Sequence, residues 1–470
     1  MRFAVATLLD PLSNPPTTFH FRTTRLAQAR MKLLLDFLRW LFRGRFGSSR
    51  KNSLPAATKW AKRRKRRPVK LTKRRRLSGS IPQAERPKPI KSVAPPYLFG
   101  AYASDHRKFL DLSLDGDDSL LATYHLPLFH TPQELADWLG IRIGELAWLV
   151  HRSASDRRPE TEQRSHYVYQ WVKKRSASLE AGSSNSRPVS TQWRLIEAPK
   201  KTLKTAQRKI LAEILEKVPA HQAAHGFVRG RSIVSNARPH VGQAVIIKLD
   251  LQNFYANVTY SRVVAIFRSM GYCREAAIWL GRLTTSAVPW TLTVPDGDEA
   301  TKSLYLRRHL PQGAPTSPAL ANLSAFGLDV RLSGLLKKFG GNYTRYADDL
   351  TLSGNDDFRY ALRCVIPLTE QIVRSERFRL NHRKRKVVRR GHRQLVTGVV
   401  VNAKINIRRD EFDRLKATLT NCVKLGPASQ NRDDHADFAA HLRGRISFVR
   451  QLNPARAEKL QRLFDQIRWG

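Results

Sequence analysis

Residues 342–354 read NYTRYADDLTLSG and set two acids, Asp348 and Asp349, side by side in an alternating stretch. Adjacent carboxylates repel, and taking them out of water costs several kcal/mol unless a cation or hydrogen bonds compensate. A tight hairpin that presents them to a divalent metal resolves that cost. A third acid, Asp250, follows the apolar run Val245, Ile246, Ile247 in QAVIIKLDLQNFYANV. Such a set suits phosphoryl transfer, which asks little covalent chemistry of a protein. That reaction needs two Mg²⁺ ions roughly 3.5–4 Å apart, bound by carboxylate and water oxygens. Taken singly, a YxDD tetrad is weak evidence, and an Asp closing a strand is often only a cap.

The elements around these acids have to position them. The unbroken run Val245–Ile247 reads as a strand buried on both faces, with Asp250 emerging at its end. LPQGAPTSPALANLSAF is a Gly/Pro turn opening a helix, and the acid pair sits in a hairpin beyond it. Two further strands are expected, QLVTGVVVN being one. The C-terminal stretches DEFDRLKATL and FAAHLRGRISFVRQLNPARAEKLQRLFDQI read as a helical bundle with basic faces. Upstream, TQWRLIEAPKKTLKTAQRKILAEILEKV predicts a short strand followed by a basic amphipathic helix. In HTPQELADWLGI, Thr131 is an N-cap, Pro132 takes the first helical position, Glu134 completes a capping box and Gly140 ends the helix. IGELAWLVHR continues a small helical module, and a Ser/Asn/Gly-rich loop spans 176–190.

The chain of 470 residues carries 84 Lys and Arg against 38 Asp and Glu, a formal charge of +46 that points to a polyanionic partner. No apolar run reaches the roughly 18 residues of a membrane span, which favours nucleic acid over a membrane. MKLLLDFLRWLF (31–42) is broken by Asp36 and Arg39 and reads as a short amphipathic helix, and Met31 is an alternative start. Residues 43–96 include KWAKRRKRRPVKLTKRRR, a block of like charge that cannot collapse on itself and is expected to be a disordered, phosphate-binding arm. Cys273, Cys364 and Cys422 show no metal-ligand spacing, and no signal peptide is evident, so a reduced, cytoplasmic setting is expected.

LDLQNFYANV, LPQGAPTSPALAN, YADDLTLSG, LNHRKRKVV and VTGVVVN follow one another in this order, and with them the chain resembles the reverse transcriptase palm from about residue 190 onward. SNARPHVG, with Asn236, Ala237 and His240, and VTG, with Val396, Thr397 and Gly398, are similar to the bacterial retron reverse transcriptases. So are LPLFHTPQELADWLGI and the pair His166–Tyr167, whereas residues 1 to about 115 lie outside the resemblance.

The resemblance implies that Asp250, Asp348 and Asp349 hold the metal ions, and that Tyr255 is an aromatic gate under the incoming sugar that leaves no room for a 2′-hydroxyl. The bland alternative for Tyr255 is a core aromatic. Gln312 and Gly313 fall where backbone must approach nucleotide and template closely, which glycine allows. Arg194 matches a basic position of the fingers, with Lys200, Lys201 and Lys204 as neighbours that share the task. Lys384 aligns with a lysine near the leaving pyrophosphate; Lys386 is its rival, and a solvated basic face the plain alternative for either. Asn236, His240, Val396, Thr397 and Gly398 are implied in recognising the cognate RNA, His240 as the buttress of a loop or as a satisfied structural histidine.

The expected fold is α+β, a right-hand polymerase: basic, largely disordered extension 1–115, helical module and linker 116–190, fingers and palm 191–404, helical thumb 405–470. The implied reaction is RNA-templated addition of deoxynucleotides with two Mg²⁺ ions. In the retron case the template and primer are one structured non-coding RNA. Synthesis starts at a guanosine 2′-hydroxyl, and the branched RNA–DNA product (msDNA) stays bound. The resemblance further implies anti-phage defence with a separate effector protein. No ribonuclease H cluster is visible, so template removal is expected from a host ribonuclease H. Competing readings are a group II intron type of reverse transcriptase, which expects a further domain for which the chain leaves no room before Gly470, and an RNA-binding scaffold without catalysis, against which the intact acids and the Gln312 turn speak.

Overall fold

The computed structural model describes residues 112–469 except 151–158, 160, 174–192 and 296–298. The basic arm expected over 43–96, the amphipathic helix over 31–42 and the loop over 176–190 lie outside the described residues.

Among the described residues three short helices come first: α1 (Asp118–Thr123), α2 (Pro132–Leu139) and α3 (Ile143–Leu149). The α2 cap forms as expected. Thr131 Oγ1 accepts from the Glu134 amide, Glu134 reaches back to the Thr131 amide, and Gly140 ends the helix at φ +75°. This segment is not a separate module, because Leu121, Phe129, Leu135 and Leu146 are buried in the same core as the strand that ends in Asp250. Nor is it all helical. YVYQWVK, rich in aromatic and β-branched residues that favour a pleated surface, forms β1 (Tyr167–Lys173), paired antiparallel with β2 (Trp193–Pro199).

The basic helix α4 (Lys201–Ile210) follows and widens into a π-turn over Leu211–Leu215, burying Leu203, Ala206, Ile210 and Ile214. The short α5 (Ile233–Ala237) and a 3₁₀ turn (Arg238–His240) precede β3 (Val245–Asp250). Next come α6 (Tyr260–Ser269), α7 (Arg274–Thr284), α8 (Glu299–Leu306), α9 (Ser317–Ser324) and α10 (Phe326–Lys338), then the hairpin β4 (Gly341–Tyr346) and β5 (Asp349–Gly354). The long α11 (Asp356–Ser375) leads to β6 (Lys386–Arg389). The sheet order is β4-β5-β3-β6, antiparallel throughout, with Asp250 opposite Asp349. Valine and isoleucine side chains on both faces of β3 are fully buried, which explains its unbroken apolar reading.

QLVTGVVVN is not one strand. It folds back as β7 (Leu395–Val396) and β8 (Val399–Val400), because Thr397 (φ +46°) and Gly398 (φ +84°) form the two-residue left-handed turn that a tight hairpin demands. Beyond it α12 (Arg409–Leu425), α13 (Phe438–Leu452) and α14 (Pro454–Asp465) form a helical bundle around a second core. That core reaches the sheet through Ala237 and Ile246. Leu419 of α12 is fully buried in it. Leu419→Ala is expected to destabilise the protein by about 2–5 kcal/mol through lost burial and a residual cavity, read as a shift in the denaturant unfolding midpoint.

Candidate active site

β3 and the β4–β5 hairpin bring the three acids together. Asp250 ends β3, Asp348 lies in the two-residue turn between Tyr346 and Asp349, and the Leu251 amide donates to the Asp348 carbonyl at 2.9 Å. Burial first, then the charges of Asp349 and Asp250, push the Asp348 carboxyl above the usual carboxylate range. Burial does the same to Asp349, opposed by the ammonium of Lys248. Lys384 Nζ donates to Asp250 Oδ1 at 2.8 Å, while Lys386 sits in β6 opposite Lys248. The sequence left Lys384 and Lys386 open; Lys384 is the one in contact with Asp250.

Among the described residues no three His, Cys, Asp or Glu side chains close into a metal-holding group. The donor chemistry nevertheless fits a hard divalent ion. All three side chains are carboxylates, and burial holds two of them toward protonation despite the nearby ammonium groups, so a divalent ion among them would offset a cost that the lysines leave in part.

The turn itself is strained. Ala347 adopts φ +54°, a conformation that costs a non-glycine residue on the order of 1–3 kcal/mol. A network the sequence reading missed holds it there. Arg345 on β4 has no solvent access and meets Asp329 of α10 through two bonds, Nε to Oδ1 at 2.8 Å and Nη2 to Oδ2 at 2.6 Å. Its Nη1 donates to Asn322 Oδ1 of α9 at 2.9 Å and to the Ala347 carbonyl at 3.1 Å. Tyr343 donates to Asp329, and Asn322 donates to the Gly226 carbonyl. Gly226 lies so close to the turn that a Cβ there would meet the Ala347 nitrogen at 2.6 Å. The available signal was a charged residue at an inward strand position, Arg345, and an acid on the leucine stripe of an amphipathic helix, Asp329.

Beside the acids runs an open groove of about 310 Å³ whose walls include Lys204, Arg208, Phe227, Tyr255, Gln312 and Gly313. Burial and the charge of Asp348 push the Tyr255 phenol up to about 12, so it stays neutral beside the acids. The Gln312 carbonyl accepts from the Glu197 amide of β2 at 2.8 Å, and Glu197 is itself paired, fully buried, with His309 at 2.9 Å. Gly313 (φ +131°) lies so near β2 that a Cβ would come within 3.1 Å of the Glu197 carbonyl. Arg194 is exposed on β2, and its charge reaches the Tyr255 phenol. Of the lysines grouped with it, Lys204 faces the groove, joined by the unforeseen Arg208, whereas Lys200 donates to the Gln163 carbonyl.

The remaining residues singled out in the sequence gather at the far end of the sheet. Asn236, His240 and Val396 are buried. His240 bridges β4 and β5, with Nε2 at 2.7 Å from Thr344 Oγ1 and Nδ1 at 2.6 Å from Ser353 Oγ. Asn236 Nδ2 donates to Thr397 Oγ1 at 3.4 Å. Asn236 and the Ile233 carbonyl, which accepts from Thr397 Oγ1 at 3.2 Å, brace the β7–β8 turn, leaving Thr397 partly exposed and Gly398 exposed at its tip.

Two outcomes follow from this geometry. Arg345→Met alone is expected to cost about 3–5 kcal/mol, because it strands a buried carboxylate. Pairing it with Asp329→Leu should recover much of that loss in denaturant unfolding without restoring the turn. Burial pushes the His240 imidazole down to about 3. The unfolded chain therefore takes up its proton near pH 6.5 and the folded chain only near 3, so stability falls as pH drops through that window, by up to about 1.4 kcal/mol per pH unit. Unfolding curves of His240→Asn at pH 7 and 4.5 should show a smaller acid-induced loss than wild type.

The family model described as reverse transcriptase (RNA-dependent DNA polymerase) matches residues 172–415. The chain is 40% identical to the Retron Mx65 reverse transcriptase of Myxococcus xanthus over 74% of each chain. It is 35% identical to the Retron Mx162 reverse transcriptase of the same organism, over 69% of this chain and 64% of that one. With the Retron Ec86 reverse transcriptase of Escherichia coli it shares 32% identity over 55% of this chain and 71% of that one. The acids, the groove beside them and these relatives agree: the chain belongs to the bacterial retron reverse transcriptases and is an RNA-directed DNA polymerase.

Proposed function

We propose that this polymerase copies a structured non-coding RNA, which serves as both template and primer, into a branched RNA–DNA hybrid that stays bound to it. The observation that carries this reading is the convergence of Asp250, Asp348 and Asp349 beside a basic groove lined by Tyr255, Gln312 and Gly313. Synthesis starts at a guanosine 2′-hydroxyl of the RNA, and the product serves anti-phage defence with a separate effector protein in the cytoplasm. A host ribonuclease H removes the template. Among the described residues no helix is long and apolar enough to cross a membrane.

Asp250, Asp348 and Asp349 would hold two Mg²⁺ ions, which supply Lewis acidity toward the attacking hydroxyl and the triphosphate when bound. The other roles belong to side chains of the chain itself. Tyr255 bounds the sugar and excludes a 2′-hydroxyl. Arg194, Lys204 and Arg208 draw the negative charge of triphosphate and backbone into the groove. Gln312 and Gly313 let backbone come close to the nucleotide. Lys384, held against Asp250, supplies a proton to the departing pyrophosphate. Thr397 and Gly398 touch the cognate RNA, with Asn236 and Val396 bracing the turn that carries them and His240 bracing the strands β4 and β5 beneath it.

The direct test compares the wild type with an Asp348→Asn, Asp349→Asn variant, each co-expressed with its flanking non-coding DNA. Bound nucleic acid is run on a denaturing gel before and after ribonuclease and debranching enzyme. A short DNA that shifts with both treatments and is missing from the variant is the expected result; RNA alone on both proteins would sink the reading. Tyr255→Ala should raise ribonucleotide incorporation relative to deoxynucleotide by about tenfold or more, about 1.4 kcal/mol of discrimination. Competition between the two nucleotides in primer extension reads it.

A further inference from the structure

We infer that Phe227 is the platform of a nucleobase-stacking subsite in the groove beside the acids, a deepening that rests on the polymerase reading. Phe227 adopts φ +58°, a left-handed conformation that a bulky residue rarely takes and that costs on the order of 1–3 kcal/mol. Burial does not offset that cost, because the residue is 58% exposed. The ring's aromatic neighbour, Tyr346, lies 6.3 Å away between centroids at a 42° tilt, which leaves a face of Phe227 open.

The surrounding backbone is fixed. The preceding Gly226 is wedged against Ala347 and accepts from Asn322, so the strained residue is attached to the same network that holds the acid turn. On the other side the Val228 carbonyl accepts from the Arg231 amide at 3.1 Å. An aromatic ring presented in this way, in a groove whose cations are Lys204 and Arg208 and which also holds Tyr255, matches the two halves of a nucleotide. Its π-face takes a base of any identity, and the cations take phosphate. The base belongs either to the RNA template or to the incoming nucleotide.

The test uses the full-length enzyme with a primed homopolymer RNA and the matching deoxynucleotide. Both the Kd of the template–primer and the KM of the nucleotide are measured. Phe227→Ala should raise one of them about 5- to 150-fold, the range that loss of one base–aromatic stack corresponds to, with kcat little changed. Phe227→Trp should stay within about threefold of wild type. A weaker Kd with unchanged KM assigns the base to the template, and the reverse assigns it to the incoming nucleotide. Phe227→Gly should lose the same affinity while its Tm stays equal or rises, because glycine relieves the left-handed strain. The subsite is overturned if Phe227→Ala equals wild type in both constants, or if Phe227→Leu restores binding as fully as Phe227→Trp. Failure of the wild type to extend a primer would instead remove the polymerase reading, a result separable from an active enzyme indifferent to Phe227.

Discussion

The active-site architecture depends on one buried ion pair. Arg345 and Asp329 have no contact with solvent, and they satisfy one another through two parallel bonds. Removing two charges from water is expensive, and a pair in this setting contributes to stability only when its remaining donors and acceptors are also satisfied. Here they are. Asn322, Tyr343 and the Ala347 carbonyl complete the shell, so that α9, α10, β4 and the acid turn are tied at one point. An apolar core of equal volume would pack as well but would not specify the direction in which the Ala347 carbonyl points. The polar network therefore sets the conformation of the turn, and the turn sets the position of Asp348.

Electrostatics around this point run against the charge of the molecule. The chain has a large surplus of positive charge, yet its centre gathers three acids, two of them held toward protonation by burial. The nearby cations Lys248 and Lys384 offset the repulsion only in part. Such a cluster of acids favours added positive charge, while the groove wall with Lys204 and Arg208 favours negative charge. Opposite preferences side by side suit a substrate that arrives as an anion escorted by cations.

Much of this was readable from the residue order. The apolar run before Asp250, the hairpin holding Asp348 and Asp349, and the Thr131 cap all rest on local rules, and they are where the sequence put them. Elements governed by longer-range contacts were not. YVYQWVK has the composition of a strand, but it follows the helices α2 and α3, and its partner β2 lies beyond a long connection, so a local reading runs on as helix and linker. QLVTGVVVN splits in two because Thr397, an ordinary strand former, accepts a positive φ beside Gly398. Arg345, Asp329 and Asn322 belong to three different elements, β4, α10 and α9, and their common role exists only after folding. Phe227 and Arg208 drew no notice for the same reason: a single aromatic or basic residue acquires meaning from the groove it lines.

The pairing of Asp349 with Asp250 on one side, and with Tyr346 across a turn of only two residues on the other, also governs which changes in chain length the protein tolerates. Side chains on a strand alternate faces, so inserting or deleting one residue in β3, β4 or β5 would exchange an acid for its neighbour and turn the buried face outward. The stretches 245–250 and 341–354 are therefore fixed in length, not merely in composition. Growth and loss are free to accumulate in connections such as that between β1 and β2, where extra residues leave the pairing of those strands in register. Any attempt to graft new segments onto this enzyme is channelled to such connections by the register of the strands that carry its acids.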